Sequence, residues 1–249
     1  MEPLLEVRNI TKRFGGLTAV DDVSMSVNTG EIVALVGDNG AGKSTLVKVI
    51  SGVHEAEDGE IYFLGDKKDI RTPKEALCLG IETIYQDLAL AENLNVYSNI
   101  FLGREKTKKN LGFLNVLDHE YMFGESAKVL EKLEIKIPSL KSRIRNLSGG
   151  QRQAVAISRS TYWNAKLLIM DEPTAALGVA QQSQVLELVR SLKNHGLGII
   201  LISHQMHDIF KIADRILVMR RGKLVADIPR KETNPDEIVS YIVGSEDVK

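Results

Sequence analysis

A single cysteine, Cys78, in 249 residues excludes an internal disulfide, and with it the small secreted disulfide scaffold. A lone thiol points to a reducing compartment. Cys78 is expected as a small core residue, because no His or Lys cluster lies near it in sequence to activate the sulfur. Charge of one sign is also lacking: 32 basic residues stand against 33 acidic ones, for a net charge of -1. That balance leaves no overall positive field to gather nucleic acid or anionic lipid, so nucleic acid is not an expected partner. No run approaches the roughly 20 apolar residues needed to cross a bilayer. The longest, such as Ile32 to Val36 and Ile199 to Ile202, have the length of strands. Met1 to Leu5 includes Glu2 and lacks the basic flank and apolar block of a signal peptide. Internal repeats and low-complexity segments are missing too. The expectation is a soluble intracellular protein that serves a membrane only through a partner.

What is present is ordinary globular composition, 43% hydrophobic and 26% charged. A chain of this length can bury roughly three quarters of its unfolded surface in a proper core. Short β-rich runs come first, at Leu4 to Val7, Val23 to Val27 and Glu31 to Val36. Asn28-Thr29-Gly30 reads as a hairpin connection between the last two. Val33 to Val36 is apolar without alternation, as a strand buried on both faces should be. Ser44 to Ser51 has helical spacing, whereas Gly59 to Leu64 and Ile81 to Tyr85 look like strands. Glu105 to Asn110 reads as a loop whose Lys106, Lys108 and Lys109 are solvated rather than a nucleic-acid patch. Asp118 to Leu133 has amphipathic helical spacing, and a further helix is expected after Gly150. Leu167 to Met170 and Ile199 to Ile202 read as strands flanking a helix, Gln181 to Lys193, that Gly196 stops. A terminal hairpin around Arg221-Gly222 and a short helix, Asp236 to Val243, close the chain. The fold class is therefore α/β: strands alternate with helices around a parallel core, with a helical insert near 90–160 in a single domain, 1–249.

Gly37-Asp38-Asn39-Gly40-Ala41-Gly42-Lys43-Ser44-Thr45 fits the phosphate-loop pattern of glycine, four residues, then Gly-Lys-Ser. Its glycines let backbone N–H groups wrap a phosphate while the following helix presents its positive end. Lys43 supplies a point charge for the β- and γ-phosphates, and the Ser44 hydroxyl suits Mg²⁺. A buried strand before the loop and a helix after it are the context this mechanism needs. Leu167 to Met170 runs into Asp171 and Glu172, delivering two carboxylates to the carboxyl edge of the sheet, where ligands of open α/β sheets collect. There Asp171 can hold the metal through water and Glu172 can polarise an attacking water. Leu147-Ser148-Gly149-Gly150-Gln151 reads two ways, as an ordinary serine helix cap or as a second anion site built from N–H groups, a hydroxyl and a helix dipole.

The order Gly37 to Thr45, Gln86, Leu147 to Gln151, Leu167 to Glu172 and His204 resembles the ATP-binding subunit of ABC transporters over nearly the whole chain. The resemblance implies the ABC ATPase fold: a phosphate-loop core with a parallel sheet, an N-terminal antiparallel β region and the helical insert. It implies ATP and Mg²⁺ as cofactors, with Ser44, Gln86 and Asp171 toward the metal and Glu172, His204 and Gln86 catalytic. It implies that Phe14 stacks on adenine rather than sitting in the core, and that His204 contacts the γ-phosphate. It also implies a head-to-tail pair, in which each ATP lies between one phosphate loop and the partner's Ser148, Gly149, Gly150 and Gln151. The family usually has an aspartate in a Ser-Ala-Leu-Asp run; the matching stretch here is Ala175-Ala176-Leu177-Gly178, which puts coupling through this loop in doubt. That glycine, with Asn99-Ile100-Phe101-Leu102-Gly103-Arg104-Glu105, looks like cassettes of the simple-sugar importers. A homodimer is expected, together with transmembrane permease subunits, an extracytoplasmic substrate-binding protein, and a place on the cytoplasmic face of the membrane. The segment Gln86 to Glu105, with Leu88, Leu90 and Leu94, is the expected permease contact. The alternative is a soluble ABC ATPase in cluster assembly or another non-transport role. A small-molecule kinase would leave Ser148 to Gln151 without a purpose.

Overall fold

Apolar residues in the phosphate-loop strand alternate between two cores, which explains why the run has no polar face. The computed structural model describes residues 2–110 and 114–244. Its chain order is β1 (Leu5–Phe14), β2 (Leu17–Val27), β3 (Ile32–Val36), α1 (Lys43–Ile50), β4 (Asp58–Phe63), β5 (Asp66–Lys68), α2 (Pro73–Leu79), β6 (Ile81–Ile84) and α3 (Val96–Ile100). Next come β7 (Thr107–Asn110), β8 (Leu114–Leu117), α4 (His119–Lys132), α5 (Gly149–Tyr162), β9 (Leu167–Asp171) and α6 (Val179–Asn194). Last are β10 (Gly198–Ile202), α7 (Met206–Ile212), β11 (Arg215–Arg220), β12 (Lys223–Pro229) and α8 (Pro235–Val243).

Two compact units result. The first comprises residues 1–86, 165–173 and 189–249, and the second residues 87–164 and 174–188. In the first unit a six-stranded sheet has the order β12-β11-β3-β10-β9-β6. All its neighbours pair parallel except the β11–β12 edge. Val33 and Leu35 of β3 join a core shared with α1 and with Leu5, Val7 and Val27 of the antiparallel sheet β2-β1-β4-β5. Ala34 and Val36 point the other way, into a core with Ile209 of α7 and Ile238 of α8. The period of two thus feeds both faces at once.

In the second unit α3, α4 and α5 pack together. Phe101, Tyr162 and Trp163 form an aromatic knot there, with Phe101 4.7 Å from Tyr162 and 5.7 Å from Trp163 between ring centroids. The Trp163 indole N–H donates to the Ile100 carbonyl at 3.1 Å, so its polar tip is satisfied. Buried Asn99 exchanges hydrogen bonds with both backbone groups of Ala91, at 2.7 and 3.1 Å, and fixes the approach to α3.

Three sequence expectations give way. Asn28-Thr29-Gly30 does not close a hairpin: β2 and β3 belong to different sheets, and the turn, braced by the Asn28 N–H on the Glu31 carboxylate at 2.7 Å, passes the chain between them. Residues 107–110 form a strand paired with β8, not a loop, because pairing satisfies the backbone while the Lys106 and Lys108 side chains stay exposed. Cys78 is exposed: α2 is one short turn pair that buries only Ala76, and Cys78 faces away from it. The whole of α2 escaped notice, although Thr72-Pro73-Lys74-Glu75 is a capping box with proline at the first turn.

Ile200 is fully buried at the centre of the sheet, between Val33 of β3 and Ile169 of β9. Ile200→Ala should destabilise the fold by about 2–5 kcal/mol through lost burial and a residual cavity. Denaturant unfolding checks this, and a midpoint equal to the parent's would contradict the two-sided burial of β10.

Candidate nucleotide-binding and hydrolysis site

Parallel pairing sets the site in a row along the carboxyl edge of the six-stranded sheet. Ile202 stands opposite Leu35 on one side and Asp171 on the other, and Ile84 stands opposite Met170. The residues that follow β3, β10, β9 and β6 are therefore, in order, the Gly37 loop, Ser203-His204, Asp171-Glu172 and Gln86. This edge is where an α/β sheet presents its ligand groups.

Gly37, Gly40 and Gly42 all have positive φ, at 148°, 80° and 104°. A Cβ on Gly37 would lie 2.2 Å from the Met219 carbonyl oxygen, and one on Gly42 would lie 2.4 Å from that of Ala19. Only glycine satisfies both the dihedral and the space. Gly42 caps α1 without a side chain, and the first turn of α1 contains no acid, so the positive end of the helix stays uncompensated. Lys43 Nζ donates to the carbonyls of Gly37 at 2.8 Å and Asp38 at 2.9 Å, folding the lysine back over its own loop. Half-burial pushes the Lys43 ammonium below its ordinary pKa, opposed by the carboxylates of Glu172, Asp171 and Asp38. Burial also pushes the Asp171 carboxyl up, opposed by Lys43 and Lys48. Added anionic charge at the loop would favour the charged lysine, and a cation beside Asp171 would favour its carboxylate.

Glu172 has φ 51°, in the left-handed region that a non-glycine residue seldom adopts. Its N–H donates to the Ile202 carbonyl at 2.9 Å, which pins the turn as β9 ends. One carboxylate oxygen meets His204 Nδ1 at 2.8 Å. The other is buried with no hydrogen-bond partner, an acceptor left unsatisfied beside the paired one. His204 itself is 71% exposed in its side chain, and Gln86 is exposed at the end of its strand. The structure thus brings Lys43, Asp171, Glu172 and His204 together in the first unit. Phe14, at the end of β1, is 45% exposed and so not a core residue.

Ser148, Gly149, Gly150 and Gln151 belong to the second unit, at the start of α5. Ser148 Oγ accepts from the Gln151 N–H at 3.3 Å, and Gln151 Oε1 accepts from the Ser148 N–H at 3.0 Å: a full capping box. The cap is compatible with anion binding, because a hydroxyl that accepts for the cap still has its own hydrogen to donate. A Cβ on Gly149 would come within 2.6 Å of Leu177, and one on Gly150 within 3.2 Å of Gln181. The glycines therefore also admit the 175–181 stretch.

Sequence reading missed the clamp on this helix. Arg159 donates to the carbonyls of Ala89 and Leu88 at 3.0 and 3.3 Å, while Arg152 bonds Glu92 at 3.3 Å and the Arg145 and Leu147 carbonyls, both at 3.2 Å. Their spacing of seven, two helical turns on one face, was the available signal. Also missed was the setting of Phe14 among Lys12, His54 and Glu57.

Fold and site together define a phosphate-loop ATPase of the cassette type. A family model described as ABC transporter matches residues 20–175, and the chain belongs to that family. It is 52% identical, over 98% of its length and 95% of the relative's, to the xylose/arabinose import ATP-binding protein of Sulfolobus acidocaldarius. It is 41% identical to the ribose import ATP-binding protein of Clostridium tetani over 98% of this chain, and spans only 47% of that longer protein. Among solved structures, a nucleotide-free ATP-binding cassette from an ABC transporter superposes with a TM-score of 0.83 at 27% identity, over 96% of this chain and 98% of that one.

Gly42→Ala should weaken nucleotide binding at least about ten-fold, since the left-handed penalty alone is about 1–2 kcal/mol and the added methyl meets backbone. Gly178→Asp is the contrast: a Cβ there meets nothing within 4 Å, so stability should stay within about 0.5 kcal/mol of the parent. A fluorescent-nucleotide titration and a melting curve decide both. Unchanged affinity in Gly42→Ala, or a large melting loss in Gly178→Asp, would contradict the geometry.

Proposed function

We propose that the chain hydrolyses ATP to energise uptake of a monosaccharide through a membrane transporter, acting from the cytoplasmic face as a peripheral homodimer. The row formed by the Gly37 loop, His204, Asp171-Glu172 and Gln86 along one sheet edge carries the ATPase reading. The sugar reading rests on the full-length likeness to a pentose import subunit. The whole chain acts as one cassette, with residues 90–160 as its helical insert. Its partners are permease subunits and, through them, an extracytoplasmic binding protein that chooses the sugar. Among the described residues no helix is long and apolar enough to cross a membrane, so transport needs those partners. The permease meets the segment Gln86 to Glu105, where Leu94 is 37% exposed and Leu88 and Leu90 are half-buried. The non-transport alternative has no observation in its favour.

The residues divide the chemistry among them. Backbone N–H groups of residues 37–45 (Asp38, Asn39, Ala41 and Thr45 among them) and the Lys43 ammonium hold the β- and γ-phosphates, and Phe14 offers its ring to the base. Ser44, Gln86 and Asp171 present a hydroxyl, an amide oxygen and a carboxylate, a hard-oxygen set that suits Mg²⁺ completed by phosphate and water. No cluster of three or more His, Cys, Asp or Glu among the described residues would hold an ion alone. Mg²⁺ bound there supplies charge neutralisation at the phosphates. Glu172 accepts the proton of the attacking water. His204 holds the other oxygen and reaches the γ-phosphate from its exposed ring. Ser148, Gly149, Gly150 and Gln151 of a second copy cover the outer side of the triphosphate.

Glu172→Gln should keep ATP binding and lose about 10²–10⁴-fold in turnover, because an amide cannot take the water's proton. Monosaccharide uptake by cells carrying only this variant should stop. Near-parental hydrolysis would remove Glu172 from the base role, and uptake unaffected by loss of the chain would end the sugar reading.

Shared sites have their own test. A mixed dimer with Lys43→Ala in one chain and Ser148→Arg in the other, both chains also Glu172→Gln, retains one intact composite site if the cassettes pair head to tail. About one ATP per purified dimer is expected, because the Ser148 loop has no lysine and the phosphate loop leaves the outer γ-oxygens uncovered. None from a folded mixture would show that each chain builds its own site.

A further inference from the structure

Phe14 stands where two differently built supports converge. It ends β1 opposite Leu17, and five residues along, on β2, the Ala19 carbonyl abuts Gly42 of the phosphate loop. The tip that carries Phe14 is thereby tied to the phosphate site. His54 comes from the other end of the same helix that starts with Lys43. The N–H groups of Val53 and His54 both donate to the Lys48 carbonyl, at 2.8 and 3.0 Å, and close the end of α1. The His54 and Phe14 rings then meet edge to face, with centroids 5.2 Å apart and planes at 72°. From β1 itself, Lys12 Nζ lies 5.4 Å from the Phe14 centroid. Glu57 holds that ammonium at 2.6 Å and also accepts the Arg13 N–H at 2.7 Å.

An exposed phenyl ring at a turn has freedom to lose when a planar base stacks on it, and that loss weakens binding. A ring already held by an edge contact has less to lose. We propose that His54 is a positioning residue for the nucleotide base: it fixes the plane of Phe14, so that α1 aligns the phosphate loop and the base platform as one piece. The proposal rests on the reading of Phe14 as the base platform, and the experiment separates the two.

ATP and inorganic tripolyphosphate, which has no base, are titrated against the full chain carrying His54→Ala, His54→Phe, Phe14→Ala or both alanines, with melting curves to confirm folding. His54→Ala should weaken ATP about two- to ten-fold, the range for an aromatic edge contact, and leave tripolyphosphate unchanged. It should raise the KM for ATP with kcat unaltered at saturation. His54→Phe should restore ATP affinity, since an aromatic edge is what the contact needs. Added to Phe14→Ala, His54→Ala should cost nothing more. Parental ATP affinity in His54→Ala beside a weakened Phe14→Ala would overturn the positioning role and spare the platform. Equal weakening of ATP and tripolyphosphate would overturn it too, assigning His54 to the support of α1. If Phe14→Ala binds ATP as the parent does, the platform reading falls and this inference with it.

Discussion

The register of β9 against β10 is the constraint on which the Asp171-Glu172 end of the candidate site depends. With Asp171 opposite Ile202, the next N–H, that of Glu172, finds the Ile202 carbonyl at 2.9 Å. That bond turns Glu172 into the left-handed region, at a cost of about 1–3 kcal/mol that the surrounding sheet must offset. The turn aims one carboxylate oxygen at His204, which follows β10, and leaves the other buried without a partner. A slip of one residue would reverse every side chain of β9, sending Met170 to the wrong core and Asp171 away from Lys43. Burial of both faces of these strands makes such a slip expensive. Core packing therefore sets the geometry of these carboxylates.

The same sheet divides its labour between its two ends. At the amino end, Arg215 donates to Glu31 at 2.8 Å, to Asp227 at 2.7 Å and to the Ser26 carbonyl at 2.5 Å, joining the entries to β3 and β11 with the ends of β12 and β2. Asp214 accepts the Ile32 N–H at 2.9 Å and pairs with Lys193 at 2.5 Å. Charges there are matched and mostly shielded, so Arg215 stays fully charged despite half-burial: its partners outweigh desolvation. At the carboxyl end the balance is opposite. Desolvation outweighs the partners of both Lys43 and Asp171, pushing each toward its neutral form. A charged pair left short of partners is poor for stability and suited to a polyanion with its counter-ion.

Much of this was legible in the sequence because the signals are local. The phosphate loop, its flanking strand and helix, and the acids after Leu167 to Met170 all follow from spacing and apolar pattern. What escaped required long-range pairing. Nothing local says that residues 28–30 cross between sheets rather than close a hairpin, since both connections use the same turn residues. The strand at 107–110 is made by its partner β8, not by its own basic residues. Cys78 looked like a core residue by type, yet only its place on a seven-residue helix decides its exposure. The φ of Glu172 and the meeting of His54 with Phe14 are likewise products of tertiary contact. Of the two readings of Ser148 the structure shows the helix cap, which leaves the hydroxyl hydrogen free to donate.

The helix that begins at Ser148 also shows how distant events within the second unit are tied together. Arg152 and Arg159 bind backbone and side-chain acceptors between Leu88 and Glu92, just past Gln86. At its first turn, Gly149 and Gly150 lie against Leu177 and Gln181, in the stretch that follows the β9 carboxylates. One helix of 14 residues thus has the segment after Gln86 fastened near both of its ends, by Arg152 and Arg159, and the segment after Thr174 packed on its start. Several charge-assisted bonds on one helix face resist shear far better than any one of them. Residues 88–92 and the first turn of α5 are thus joined through one hydrogen-bonded helix. Gly178, by contrast, has open space around it and offers no side chain to hold the 175–178 stretch against that helix.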